Sequence, residues 1–295
     1  MKEGGIMYSI LITGEVLYTG KETIKDSYVY IRNGVIKKVG NMPIPDEIGE
    51  PSLVLGGEGK VIMPSLTAVA DIASFPIKYF RPSMKKRIEF YKRMKANELF
   101  VLSFPAVYEL NMQGISTIIA EALDPSYVID LNKKIGGNYG VAIPVCVESF
   151  DVPPILVGRI KISGVDCFGE GISEDSNNYL MLISRPTYSI SGFQNAYEKS
   201  ENIRKEIGLK PNLIKEGNNA EIVVYDVSKP PAMMIYNSNE EDLINIYGLN
   251  ARVESLIVNE DVLVDIGGHL RITEKQLKQS KSLAEKIFNS QQTQP

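Results

Sequence analysis

The chain has 295 residues, which is the length of one large domain or two ordinary ones. Apolar residues make up 44% and charged residues 23%, a balance typical of a soluble globular protein. The formal net charge of -4 argues against a nucleic-acid binder, which would carry a basic stripe. No apolar run approaches the about 18 residues of a membrane-spanning helix, and the N-terminus lacks a signal-peptide pattern. We therefore expect a cytoplasmic protein with no nucleic-acid and no membrane partner.

Strands dominate the first 65 residues. The segment from Ser9 to Gly20 contains several β-branched residues and ends at glycine, which favours a strand. The residues from Asp26 to Gly40 form two alternating runs joined by Asn33-Gly34, and both turn residues tolerate positive φ, so we predict a hairpin. A further strand pair, interrupted by glycines, is predicted over 52–66.

The middle of the chain alternates between helix and strand patterns. Such alternation is typical of βα units around a parallel sheet. The predicted helices cover 83–100, 106–112, about 124–135 and 194–207, and the predicted strands cover 115–122, 139–149, 155–169 and 179–184. The helix at 83–100 carries many lysines and arginines, which we interpret as a solvated face.

Strands return at 219–228 and 251–268, and a basic amphipathic helix from about Thr273 to Asn289 follows them. The predicted fold is therefore α/β plus β. A composite β-sandwich would form from residues 1–64 and 209–270, with a reduced TIM-barrel-like βα domain inserted at 65–208. A C-terminal helix and tail would occupy 271–295.

Histidine and cysteine are both scarce. The single histidine is His269, and the two cysteines, Cys146 and Cys167, form no CxxC pair. Imidazole is the commonest catalytic zinc ligand, and structural zinc sites need clustered cysteines or histidines. The sequence therefore predicts neither kind of site, and we expect no cofactor. His269 itself is expected in the sandwich.

Five fragments, in order, resemble segments of the metal-dependent amidohydrolases, in the branch of the chlorohydrolases and nucleobase deaminases. They are VYIRNGVIKKVG, GEGKVIMPSL, LNMQGISTIIAEA, IGLKPNLIKEGNNAEIVVYDVSKP and ARVESLIVNEDVLVDIGG. The resemblance covers both ends of the chain well and the middle poorly. It implies a barrel enzyme that hydrolyses C–N bonds other than peptide bonds, with metal ligands at the ends of the barrel strands.

The departures from the family pattern are specific. Ala70 and Ile72 stand where the resemblance places two metal-binding histidines, and neither side chain has a lone pair for a cation. Asp166 or Asp175 would be the remnant of the metal-binding aspartate. The segment from Ser65 to Gly208 is shorter than the roughly 200 residues near the minimum for an eight-fold barrel. The sequence thus resembles a degenerate member without the metal motif and without part of the barrel.

Two functions follow as hypotheses. The first is a catalytically inactive amidohydrolase-like protein that binds a small molecule or serves in assembly, with a second copy or a partner protein covering the open barrel. The alternative is a metal-independent hydrolase of amides or cyclic amidines that uses carboxylates gathered at the barrel mouth as acid and base. The candidate carboxylates are Glu121, Glu148, Asp166 and Asp71, with Lys161 or Tyr139 as assistants. An all-carboxylate Mg²⁺ site is the least favoured hypothesis.

Overall fold

The structure is a computed structural model, and it describes residues 8–70, 72–73, 92–121, 126–142, 155–157, 160–162, 192–206, 208–229 and 251–292. These residues form a mixed α/β fold with a large β-sheet, which confirms the α/β and β character of the prediction. The strands are β1 (Ser9–Tyr18), β2 (Thr23–Arg32), β3 (Val35–Asn41), β4 (Leu53–Pro64), β5 (Leu66–Ala70), β6 (Ile115–Glu121), β7 (Asn138–Ala142), β8 (Ile155–Val157), β9 (Ile160–Ile162), β10 (Glu221–Asp226), β11 (Arg252–Val258), β12 (Asp261–Asp265) and β13 (Gly268–His269). The helices are α1 (Ala96–Asn111), α2 (Ser126–Lys134), α3 (Gly192–Glu206) and α4 (Glu274–Gln292), with a short 3-10 helix at Asp46–Ile48.

The large sheet takes strands from both ends of the chain, in the order β13-β12-β11-β10-β4-β1-β2-β3. Of its strand pairs, β1 with β4 is parallel and the others are antiparallel. The sheet curls back on itself. Its last strand, β3, is joined by a bridge between Val35 and Asn219 to the residues just before β10. One face encloses an apolar core that includes Ile12, Val29, Ile31, Ile62 and Ile222, each 1% exposed or less.

The predicted hairpin at Asn33-Gly34 is confirmed. Asn33 and Gly34 have φ values of 52° and 73°, and Arg32 pairs with Val35 across the turn. Positive φ at both central residues is the requirement of the hairpin turn that matches strand twist.

The predicted strand pair over 52–66 is wrong, because those residues form a single strand, β4, that ends at Pro64 and is followed by β5. Three glycines of β4, Gly56, Gly57 and Gly59, have positive φ. They produce an irregularity in the ladder between β1 and β4 rather than a reversal of the chain, since the register shifts between Gly14 and Val16 of β1.

Residues 83–91 of the helix predicted over 83–100 lie outside the described residues. In the described part, the end of that helix and the helix predicted over 106–112 form one helix, α1, which runs unbroken through Pro105. A proline inside a helix removes one backbone hydrogen bond and is unfavourable by itself. Its neighbours Leu102, Phe104, Ala106 and Val107 are at most 2% exposed, so packing keeps the helix intact.

A second sheet contains the parallel strands β5, β6 and β7, with β6 in the middle. In the register, Ala70 lies opposite Ala120, and Glu121 opposite Ala142, so the carboxyl ends of the strands meet at one edge. The other barrel strands predicted within 143–154 and 163–191 lie outside the described residues. The division into a composite sandwich and a truncated barrel stays a prediction.

Helix α4 lies within a residue or so of its predicted start and packs on α1, with Leu102 of α1 against Ala284 and Ile287. Among the described helices, none combines the length and the apolarity that crossing a bilayer would demand.

The hairpin between β12 and β13 has an unfavourable residue at its tip. Asp265 pairs with Gly268, and the turn residues Ile266 and Gly267 have φ values of 49° and 70°. A β-branched residue at positive φ is strained, and Ile266 is also 83% exposed, so its side chain gains little from packing.

We expect Ile266→Asn to raise the free energy of unfolding by about 1 kcal/mol, because asparagine tolerates positive φ at this turn position. Chemical denaturation followed by circular dichroism would measure the change. Ile266→Val is the matched control, since it keeps the β-branch and should bring no gain. A lower midpoint for Ile266→Asn than for the native chain would contradict the assignment of strain.

Candidate functional site

The residues described at the carboxyl end of β5 are apolar. Ala70 is fully buried, as are Ile72 and Ala73 beyond it and Ala120 beside it on β6, and all four belong to one apolar cluster. Zinc needs nitrogen, sulfur or oxygen donors at about 2.0 to 2.3 Å, and alkyl groups supply none. The residues described at this position therefore do not fit a zinc ion.

The two faces of the parallel sheet differ in polarity. Thr67 and Thr117, which pair with each other, hydrogen-bond to Arg204 and Glu221 on one face. Because side chains alternate along a strand, the residues next in register point to the other face. That face contains Ala68, Ala70, Ile118, Ala120 and Tyr139. Of these five described residues, Tyr139 alone has a polar side chain.

Tyr139 is 1% exposed, and its hydroxyl has no hydrogen-bond partner among the described residues. Burial raises the pKa of this phenol above its ordinary value of 10.0. The group therefore stays protonated near neutral pH and would act as a hydrogen-bond donor rather than as a base.

The predicted carboxylates cannot be assembled into a site from the described residues. Glu121 is the last residue of β6, at the edge where the carboxyl ends meet, but its side chain lies outside the described part. The residues Asp71, Glu148, Asp166 and Asp175 lie entirely outside the described part. Lys161 belongs to β9, opposite Leu156 of β8. Across the described ranges, no three or more histidine, cysteine or acidic side chains form a group able to hold a metal ion.

His269 lies in β13, at the edge of the large sheet. Its Nδ1 accepts hydrogen bonds from the backbone N–H groups of Arg271 and Ile272, both at 3.1 Å, so Nδ1 carries no proton. Its Nε2 lies 3.0 Å from Oδ1 of Asn111 and must donate to it. The ring stacks on Tyr108 with centroids 5.6 Å apart, and burial lowers its pKa to about 4.

The hydrogen bonds of Asn111 show which end of the parallel strands His269 is near. Asn111 donates from Nδ2 to the carbonyl of Ile115, the first residue of β6, at 2.7 Å. His269 is thus at the amino end of β6, away from Ala120 and Glu121. Both ring nitrogens are occupied, so the only imidazole in the chain serves the fold at this point.

A buried ion pair that no sequence pattern predicted also lies at the amino ends of the parallel strands. Arg204 of α3 donates from Nη1 to Glu221 of β10 at 2.9 Å and to Oγ1 of Thr67 at 3.0 Å. Its Nε donates to the carbonyl of Lys210 at 2.8 Å. The side chains of Arg204 and Glu221 are 7% and 12% exposed. In the sequence, the one indication of a role for Glu221 is that this charged residue directly precedes the apolar run of β10.

Asn212 extends this network. Its Nδ2 donates to the carbonyl oxygens of Ser65 and Glu221, at 2.8 and 3.0 Å, and its backbone N–H donates to Glu201. Burial raises the pKa of Glu201. The amino end of barrel strands is the face associated with stability rather than chemistry, so we interpret the network as structural.

Comparison with known proteins supports the fold. No protein-family model matches the chain, and no curated protein sequence matches it. Among solved structures, a triazine hydrolase variant is similar with a TM-score of 0.68 and 12% identity, covering 94% of this chain and 99% of that chain. An adenosine deaminase from Xanthomonas campestris with bound zinc has a TM-score of 0.66 and 8% identity, covering 96% and 99%. An amidohydrolase from an environmental sample of the Sargasso Sea has a TM-score of 0.63 and 10% identity, covering 96% and 99%.

These neighbours all belong to the amidohydrolase superfamily, so the chain has an amidohydrolase-like fold. Identities of 8 to 12% establish the fold alone. A shared fold carries many different functions, and function has to be argued from the site.

Proposed function

We propose that this protein is a degenerate amidohydrolase-like protein that does not act as a metal-dependent hydrolase and instead binds a small molecule or serves in assembly. The observation that carries the proposal is the pair Ala70 and Ile72. They stand where the resemblance places the family's paired histidines, and both are fully buried in an apolar cluster. Their side chains offer a cation no lone pair.

The state of the single imidazole supports the same conclusion. A hydrolytic zinc site of this kind needs several histidines, and the chain has only His269. Both nitrogens of His269 are already used by Asn111 and by two backbone N–H groups. Binding a metal through either nitrogen would break the hydrogen bonds that hold the turn at 270–272 or the contact with Asn111 of α1.

The proposed domain division explains the assembly role. A composite sandwich of 1–64 and 209–270 would hold a barrel remnant at 65–208, and a parallel sheet that does not close leaves a face and edges to be covered. A second copy of the chain, a partner protein or a small molecule would cover them, in the cytoplasm.

We expect purified protein, expressed with zinc, iron, manganese and nickel supplied, to contain far less than one metal ion per chain when measured by elemental mass spectrometry. We also expect no chelator-sensitive hydrolysis of amides or cyclic amidines. His269→Asn is the matched control and should leave the metal content unchanged. Stoichiometric metal, together with turnover that a chelator abolishes, would overturn the proposal.

The alternative is a metal-independent hydrolase of C–N bonds that uses Glu121, Glu148, Asp166 and Asp71. One observation favours it: Ala70 and Ala120 are register partners, and Asp71 and Glu121 directly follow them in the sequence. Adjacent carboxylates raise each other's pKa and can share a proton. Chelator-resistant hydrolysis that Glu121→Gln abolishes and Glu109→Gln on α1 preserves would establish this alternative over the first proposal.

A further inference from the structure

A series of contacts fixes the segment that connects His269 to α4. The ring of His269 fixes the turn at 270–272 by accepting from Arg271 and Ile272. Ile272, 2% exposed, is anchored in the main apolar cluster. Thr273 then starts α4: its N–H donates to Oε1 of Gln276 at 2.8 Å, and its Oγ1 accepts from the N–H of Gln276.

Helix α4 packs against α1 and, through Leu277 in its first turn, against the main apolar cluster. Ala284 and Ile287 pack against Leu102, with Leu283 and Met94 beside them. This cluster of buried residues is small, so the helix depends on the turn at its start as well as on its own packing.

We propose that His269 is an acid-sensitive latch, whose protonation at Nδ1 opens the turn at 270–272 and releases α4 from α1. The neutral ring is needed because Nδ1 is an acceptor for two N–H groups. A proton on Nδ1 would turn that acceptor into a third donor facing the other two, so the charged ring has to leave this position.

The surroundings of the ring agree with this mechanism. Among the described residues, Tyr108 and Asn111 of α1 and the backbone N–H groups of Arg271 and Ile272 contact the ring, and the guanidinium of Arg271 lies 3.7 Å from Asp261. The cause of the lowered pKa is burial of the ring, which penalises the charged form.

The direction of the pH effect follows from that shift. The pKa is about 4 in the latched state and 6.5 in a solvated ring. The released state therefore binds more protons between these values, so latching is complete above pH 6.5 and is lost as the pH falls toward 4.

Hydrogen–deuterium exchange of the whole chain tests the latch. Between about pH 7 and about pH 5, we expect the protection of residues 274–292 to fall about twentyfold after correction for intrinsic exchange rates. Protection of β4 in the large sheet should stay constant. Equal protection of α4 at both pH values would overturn the proposal, and so would a parallel loss in every segment, which would indicate global unfolding.

His269→Asn provides the matched variant, because Oδ1 of asparagine can occupy the place of Nδ1 as an acceptor and does not titrate. We expect it to abolish the pH dependence of α4, and the same fall in this variant would contradict the latch. If the variant does not fold, the native chain still gives an answer, since its single histidine has one set of ring resonances. The ring should show the Nε2–H tautomer near neutral pH and should titrate at the midpoint of α4 release.

Discussion

Replacing Arg204 by methionine is expected to lower the free energy of unfolding by about 3 to 5 kcal/mol, because it leaves a buried carboxylate without its cation. Glu221 would keep its bond from Thr117 at 2.9 Å and lose both bonds from the guanidinium. Thr67 and the carbonyl of Lys210 would each lose a donor as well. Urea denaturation followed by far-ultraviolet circular dichroism would measure the loss.

Two further variants separate the buried charge from general damage. Arg204→Met combined with Glu221→Met removes both charges, so it should be less destabilising than the sum of the two single changes. Lys278→Ala breaks an exposed pair with Glu274 and should change stability by about 0.5 kcal/mol or less. An Arg204→Met effect no larger than that of Lys278→Ala would show that the pair does not stabilise the fold.

Substituting Gly56 by alanine is expected to destabilise the chain by roughly 2 to 5 kcal/mol. The left-handed backbone of an alanine contributes about 1 to 2 kcal/mol of this loss. Displacement of the neighbouring backbone contributes about 1 to 3 kcal/mol. Gly56 has φ of 84°, and a Cβ there would clash with the carbonyl oxygen of Thr13 in β1. That oxygen belongs to the backbone of the paired strand, so the ladder between β1 and β4 has to shift.

The adjacent Gly57 gives a control within the same strand. Its φ is 119°, and nothing lies within 4 Å of an added Cβ. Gly57→Ala should therefore cost only the backbone strain of about 1 to 2 kcal/mol, measured by the same denaturation experiment. Equal losses for the two alanine variants would mean that the close approach to Thr13 has no energetic effect.

Local patterns predicted the elements whose formation depends on neighbours in sequence. Asn33-Gly34 specified a hairpin because both residues accept positive φ, and the structure has that turn. The β-branched run beginning at Ile115 specified β6, and the amphipathic pattern after Thr273 specified α4.

The misread elements depended on partners distant in sequence. The glycines of β4 resemble turn residues, but β1 and β10 on either side keep the strand extended. Pro105 resembles a helix end, but buried neighbours maintain α1 around it. In both cases tertiary packing outweighs a local preference of a few kcal/mol or less.

The part of the candidate site that could be predicted from the sequence is the part in which the residue type alone determines the chemistry. Ala70 and Ile72 exclude metal ligation at their positions whatever surrounds them. The contacts of His269 with Asn111 and of Arg204 with Glu221 join residues 158 and 17 positions apart, and no sequence spacing specifies them. Hence the polar groups that stabilise the amino ends of the strands emerged only from the structure.

The order of the large sheet has a consequence for synthesis. Strand β4, which ends at Pro64, pairs with β1 on one edge and with β10 on the other. Strand β10 begins only at Glu221. A nascent chain therefore displays β4 with an open hydrogen-bonding edge while the intervening residues are translated. Folding has to wait for this late pairing, and delayed long-range pairing slows folding and exposes the strand to other chains. The early strands thus face a prolonged risk of aggregation on the ribosome.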